Sequence, residues 1–207
     1  MVKPDLGSLA DEDLLARFNA GEARAFEVLM ERYKRPIFNF ILRSVRDREQ
    51  AAEIHQDVFL RVIQRSADFK GESKVSTWLY TIARNLCIDT SRKMVFRRHR
   101  SLDAPGRGGG GDEEGPAMVD RVAGAEIGSD RRAISKEIRA KVADAIEALP
   151  AEQREVFLMR EVQNLPFKDI ADIVGVPENT VKSRMRYALE RLQEALAEYE
   201  DYVPRET

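Results

Sequence analysis

Between residues 9 and 96 apolar side chains recur three and four positions apart and almost never alternate. That spacing follows the 3.6-residue turn and predicts helices rather than strands. Leu14, Leu15 and Phe18 mark a first short helix, ended by "NAGE". A second begins near Glu22 and carries Phe26, Leu29, Met30 and Tyr33. Pro36 is expected to kink or divide it, because proline lacks an N–H and crowds the carbonyl four residues back. Ile37, Phe40 and Ile41 then resume the stripe. "DREQAAEIHQDVFLRVIQR" (47–65) gives a third helix, with Ala51, Ile54, Val58, Val62 and neighbouring Phe59 turned inward. In a fourth, Trp78, Leu79, Ile82 and Leu86 form a stripe directly behind a polar loop, "FKGES".

The pattern then breaks. Residues 101 to about 130 hold most of the glycine and no sustained period, and glycine at that density behaves as flexible coil. Seven acids (Asp103, Asp112, Glu113, Glu114, Asp120, Glu126, Asp130) face only Arg107 and Arg121 there. Helical spacing returns with Ile134, Ile138, Val142 and Ile146, and Pro150 both stops that run and suits the first turn of the next. The expectation is an all-α chain of two small helical domains, 9–96 and 133–200, joined by a flexible linker over 97–132.

The second domain contains a helix-turn-helix. Phe167, Ile170, Ala171 and Val174 form an apolar stripe, Gly175 fits a positive-φ turn, and Pro177 fits the start of the following helix. In that helix Val181, Met185, Ala188, Leu192 and Leu196 share the inner face. Asn179, Ser183 and Arg186 point nearly opposite, with Lys182 beside them. An inner seam with polar outer tips is the build of a helix that enters the major groove. Lys182, Ser183 and Arg186 are therefore candidates for base edges. Thr180, Arg184 and Arg191, on one flank, are better placed for phosphates, which position without specifying.

Composition narrows the chemistry. The 207 residues are 43% hydrophobic and 34% charged, with a net charge of −2. That balance argues against a nucleic-acid coat, but the charge is segregated: "RKMVFRRHR" (92–100) and "TVKSRMRYALERL" (180–192) are basic, "GDEEG" (111–115) acidic. One cysteine, Cys87, rules out an internal disulfide framework, and with only His55 and His99 besides, no metal site is expected. Cys87 reads as a small packing residue and His55 as a surface histidine. No phosphate-binding G-x-x-x-x-G-K-S/T run occurs, and no cofactor is expected. With no signal peptide and no long apolar run, the chain reads as cytoplasmic, without membrane insertion.

Both halves together resemble the extracytoplasmic-function sigma factors of the sigma-70 family, the dissociable promoter-recognition subunits of bacterial RNA polymerase. "GEARAFEVLMERY", "AAEIHQDVFLRV" and "STWLYTIARNLCIDTSRK" resemble the family's region two, and "LPAEQREVFLMREVQNLPFKDIADIVGVPENTVKSR" its region four. The resemblance implies a non-catalytic subunit that binds core polymerase, docks on −35 duplex with the second domain and captures the melted −10 strand with the first. It implies that "FKGESKVS" (69–76) is the loop accepting an unstacked base. The −10 contacts would then involve Phe69, Lys70, Gly71, Glu72, Ser73, Lys74, Trp78, Thr81, Arg84, Asn85 and Arg92. Cationic groups suit the strand's backbone, and polar or aromatic surfaces its exposed bases. Trp78 also lies on the apolar stripe, so packing and DNA contact are both open to it. Glu53, Gln56, Asp57, Phe59 and Arg61 would lie on the face that docks on the polymerase. An anti-sigma protein that wedges between the two domains is a further partner implied. Asn179 and Tyr187 stand where relatives often carry glycine and arginine. The alternative from another class is a stand-alone helix-turn-helix regulator, which would leave the 69–76 loop without a purpose.

Overall fold

The computed structural model describes residues 5–101 and 129–202, with side chains described for 5–94 and 137–199. Among them every regular element is helical. The first lobe comprises α1 (Asp11–Asn19), α2 (Ala23–Val45), α3 (Arg48–Arg65) and α4 (Val75–Ser101). The second comprises α5 (Ser129–Ala148), α6 (Ala151–Phe157), α7 (Phe167–Val174) and α8 (Glu178–Leu196). Helices α4 and α5 thus enter the span expected as linker from either end. Residues 102–128, with most of the glycine and acid run, lie outside the described residues, as do the side chains of 95–100 and Ile134.

Acids at Asp11, Glu12 and Asp13 occupy the first turn of α1, where the helix dipole favours them. Helix α2 buries Ala25, Phe26, Leu29, Ile37, Phe40 and Ile41 along one stripe and runs unbroken through Pro36. A proline inside a helix costs about 3 kcal/mol. Apolar burial on both sides of Pro36 outweighs that penalty, so the expected division does not occur. Asp47 caps α3, its carboxylate accepting from the Gln50 N–H at 2.9 Å. Helix α4 presents Val75, Leu79, Tyr80, Ile82, Ala83, Leu86 and Cys87 to the same core.

In the second lobe α8 packs against α5, α6 and α7 through Val181, Met185, Ala188 and Leu192. Gly175 ends α7 at φ 72°, its N–H bonded to the Ala171 carbonyl at 2.8 Å, and the chain turns into α8 as the glycine predicts. A π-helical turn, Leu158–Val162, follows α6 and brings Gln163 round to face the first lobe.

The lobes touch along α4 and α7. The Tyr80 hydroxyl donates to Gln163 Oε1 at 2.5 Å, and Arg84 grips Glu155 through Nε at 2.8 Å and Nη2 at 3.2 Å. Lys74 Nζ lies 3.0 Å from Asp169 Oδ2, and Arg46 donates to the Glu147 carbonyl. In each of these contacts the first lobe supplies the donor and the second the acceptor.

Candidate nucleic-acid interface

The outer face of α8 is built by its inner one. With Val181, Met185, Ala188 and Leu192 buried, Asn179, Lys182, Ser183, Arg186 and Arg191 must face outward, and all five are exposed. Thr180 is half-buried on the flank. The Ser183 hydroxyl donates to its own helix at the Asn179 carbonyl, 3.0 Å away. Lys182 pairs with Glu178 at 2.7 Å and Arg186 with Glu190 at 3.6 Å, each one helical turn away. Arg186 also lies over the Tyr187 ring, 4.9 Å from its centre. Exposed pairs of this kind are worth only a few tenths of a kcal/mol, so both cations are available to a stronger anionic partner.

Arg184 differs from the sequence expectation. It turns toward α6, 2.6 Å from Glu152 and 4.0 Å from Glu155, and its side chain is only 19% exposed. Residue 184 falls between the core stripe and the free face, and the carboxylates of α6 draw its long side chain inward. Tyr187, by contrast, is exposed.

In the first lobe Phe69 and Trp78 pack ring against ring at 5.2 Å, both half-buried. They lie at either end of the loop in sequence, and Lys70, Gly71, Glu72, Ser73 and Lys74 between them are all exposed. Gly71 sits at φ +72° with open space around its Cβ position, so the backbone conformation, not crowding, favours glycine there. On the helix behind, Asn85 and Arg92 are exposed, while the Thr81 hydroxyl is taken by the Thr77 carbonyl at 2.8 Å. Of the candidate −10 residues, Lys74 and Arg84 are paired with carboxylates of the second lobe, at Asp169 and Glu155. Glu155 lies between Arg84 and Arg184, joining a candidate from each reading face.

On α3, Glu53, Gln56 and Asp57 are exposed and Arg61 is half-buried. Phe59 is not on that face. It lies in the core, edge-on to Phe26 at 6.5 Å and to His55 at 5.0 Å. His55 stays at the surface, half-buried, its ring packed on Phe38 and Phe59 and its Nε2 meeting the Lys34 carbonyl at 2.8 Å. The apolar surface on α3 comes instead from Leu60, 54% exposed, and Ile63, 45% exposed. Sequence reading missed both. Their signal was available as apolar residues lying off the inward stripe of the helix.

Burial pushes the Cys87 thiol up to about 12, outweighing the opposing effect of a hydrogen bond with the Ser44 side chain. Burial raises the Tyr80 hydroxyl further still. Neither group is a nucleophile near neutral pH. Among the described residues no cluster of His, Cys, Asp and Glu could hold a metal ion, and no helix is long and apolar enough to cross a membrane.

Comparison with known proteins gives matches over both lobes. Residues 29–97 match the family model described as sigma-70 region 2, and residues 139–192 that described as sigma-70, region 4. The RNA polymerase sigma-H factor of Pseudomonas aeruginosa is 32% identical over 90% of this chain and 93% of its own length. The extracytoplasmic-function sigma-E factor of Escherichia coli K12 is 29% identical over 89% of this chain and 93% of its own. Among solved structures, the sigma factor of Bartonella quintana in complex with the anti-sigma factor NepR matches with a TM-score of 0.63 at 23% identity. It covers 83% of this chain and 96% of that one. CnrH in complex with the cytosolic domain of CnrY matches with the same TM-score at 21% identity, over 93% of this chain and 99% of that one.

Proposed function

The chain belongs to the extracytoplasmic-function group of the sigma-70 family, and from that membership we infer how its two lobes divide the work of a sigma factor. It binds core RNA polymerase and directs promoter-specific initiation of transcription. The first lobe, 9–96, docks on the polymerase through the outer face of α3, with Glu53, Gln56, Asp57 and Arg61 around Leu60 and Ile63. Its 69–76 loop and the adjoining face of α4 take the melted −10 strand. The half-buried rings of Phe69 and Trp78 suit stacking, and Lys70, Lys74, Arg84 and Arg92 suit the backbone. The second lobe, 133–200, lays α8 in the major groove of the −35 duplex. Lys182, Ser183 and Arg186, with Asn179, face base edges, while Thr180, Arg184 and Arg191 face phosphates. Nucleotidyl transfer belongs to the polymerase, so the chain acts as a specificity subunit without catalysis of its own, in the cytoplasm.

One observation carries this reading furthest. Two residues assigned to the −10 strand are held by carboxylates of the second lobe, Lys74 by Asp169 and Arg84 by Glu155, and Glu155 also lies 4.0 Å from Arg184, assigned to −35 phosphates. Elements near −10 and −35 lie about 25 base pairs apart, or about 85 Å at 3.4 Å per pair. Lobes joined at 3.0 Å through Lys74 and Asp169 do not reach both. Promoter recognition therefore separates them, and phosphates and bases replace Glu155 and Asp169. An anti-sigma partner, as in the two similar complexes, would act on this equilibrium.

The test is co-elution of the purified chain with bacterial core polymerase, followed by run-off transcription on the region upstream of its own gene. A stoichiometric complex that initiates where core alone does not supports the reading. Absence of a complex, with tight binding of the free protein to duplex DNA, would hand the case to a stand-alone regulator.

A further inference from the structure

The 69–74 loop is held at both ends by α1, a helix with no part in the function described so far. At the loop's approach the Asn19 side-chain amide donates to the Ser66 carbonyl at 2.8 Å. That carbonyl also accepts from the Phe69 N–H at 3.3 Å, so Asn19 fixes the turn from which the loop departs. At the far end Glu12 Oε1 accepts from the Val75 N–H at 3.1 Å. Val75 is the first residue of α4, where N–H groups have no partner within the helix. A carboxylate there also meets the positive end of the helix dipole.

Helix α1 is itself firmly seated. Leu14 and Leu15 are fully buried, and Asp11 accepts from Arg32 Nη1 at 2.6 Å and from the Tyr33 hydroxyl. The loop has few other restraints. Lys70, Gly71, Glu72 and Ser73 are exposed, and the Lys74–Asp169 pair belongs to the other lobe. Once the lobes part, that pair is gone, and Asn19, Glu12 and the Phe69–Trp78 contact are what keep the loop in shape.

We propose that Glu12 and Asn19 are positioning residues for −10 recognition, holding the two ends of the loop so that Lys70 to Lys74 stay arranged for a single strand after the second lobe leaves. A loop ordered before binding gives up less conformational freedom on binding than a loose one. The inference rests on the assignment of this loop to the melted −10 strand.

The test uses holoenzyme made from core polymerase and the full chain, in four variants: Glu12→Ala, Glu12→Gln, Asn19→Ala, and Asp13→Ala as a control in an exposed acid of the same turn. The probe is the single-stranded DNA that wild-type holoenzyme selects from a randomised pool. Hydrogen exchange of amides 69–76 is followed alongside. Glu12→Ala and Asn19→Ala should each weaken DNA binding about fivefold, the factor for losing one net hydrogen bond, and speed exchange in the loop. Glu12→Gln keeps an oxygen acceptor and should recover most of the loss, while core affinity and the Asp13→Ala variant stay at wild-type values. Unchanged loop exchange in both alanine variants overturns the inference. So does faster exchange with unchanged DNA binding, if Lys74→Ala still weakens that binding. If Lys74→Ala has no effect either, the loop's −10 assignment fails and takes the inference with it.

Discussion

Arg84 and Glu155, 71 positions apart, form a two-pronged ion pair at 2.8 and 3.2 Å that joins the lobes, with both side chains less than one-fifth exposed. A forked guanidinium–carboxylate pair is stronger and more directional than a single contact. In a partly buried place, removing one partner leaves the other charge short of solvation. The pair therefore biases the free chain toward the closed arrangement.

Replacing Glu155 and Asp169 together by alanine should shift the free protein toward an open form. Small-angle scattering should report a larger radius of gyration, and affinity for core polymerase should rise by a few fold, as expected when a closed state no longer competes. An unchanged radius and affinity would mean that these pairs do not hold the lobes.

Arg186→Ala and Arg191→Ala should separate base reading from phosphate contact. The first should cost about 1–3 kcal/mol and relax sequence preference at one −35 position. The second should weaken binding evenly across sequences and reduce the salt slope by about 1. Competition binding of holoenzyme to −35 variants at several salt concentrations distinguishes the two.

Leu60→Asp and Ile63→Asp should impair co-elution with core polymerase while leaving the thermal midpoint near wild type, because both side chains already face water. Ile54→Ala should do the reverse. It removes a core side chain only 4% exposed and should lower stability by about 2–5 kcal/mol. Chemical denaturation with a polymerase pull-down checks both.

Cys87 makes stability depend on alkaline pH. Its thiol is raised by burial to about 12, from an ordinary value near 9. The native state keeps its proton where the unfolded chain has lost it, so this contribution is complete below about 9 and disappears as pH climbs toward 12. Cys87→Ala should flatten that part of the stability profile. In the wild type, iodoacetamide should label the residue only as fast as the lobe opens.

Much of the architecture was legible because it depends on local rules. The inward stripe of α8, the positive-φ turn at Gly175 and the outward placement of Asn179, Lys182, Ser183 and Arg186 follow from helical periodicity and glycine's freedom. Departures from sequence expectation are tertiary in origin. Pro36 stays within one helix because packing on either side outweighs its local penalty. Arg184 is drawn inward by Glu152 and Glu155, which lie about thirty positions away and share no periodic relation with it. Phe59 and Leu60 are neighbours in sequence, and their burial and exposure follow the stripe of α3, Phe59 beside it and Leu60 off it. The pairing of Lys74 and Arg84 with acids of the other lobe depends on how the two lobes meet, about which neither lobe's own pattern carries information.

The most direct test of the account places photoreactive side chains at Glu72 in the loop and at Asn179 at the start of α8, both exposed, and crosslinks each to promoter DNA in the open complex with polymerase. Position 72 should label the unpaired strand near −10, and position 179 the duplex near −35, within the same complex. Labelling by position 72 on duplex DNA near −35, or no labelling from either position in a transcriptionally active complex, would contradict it.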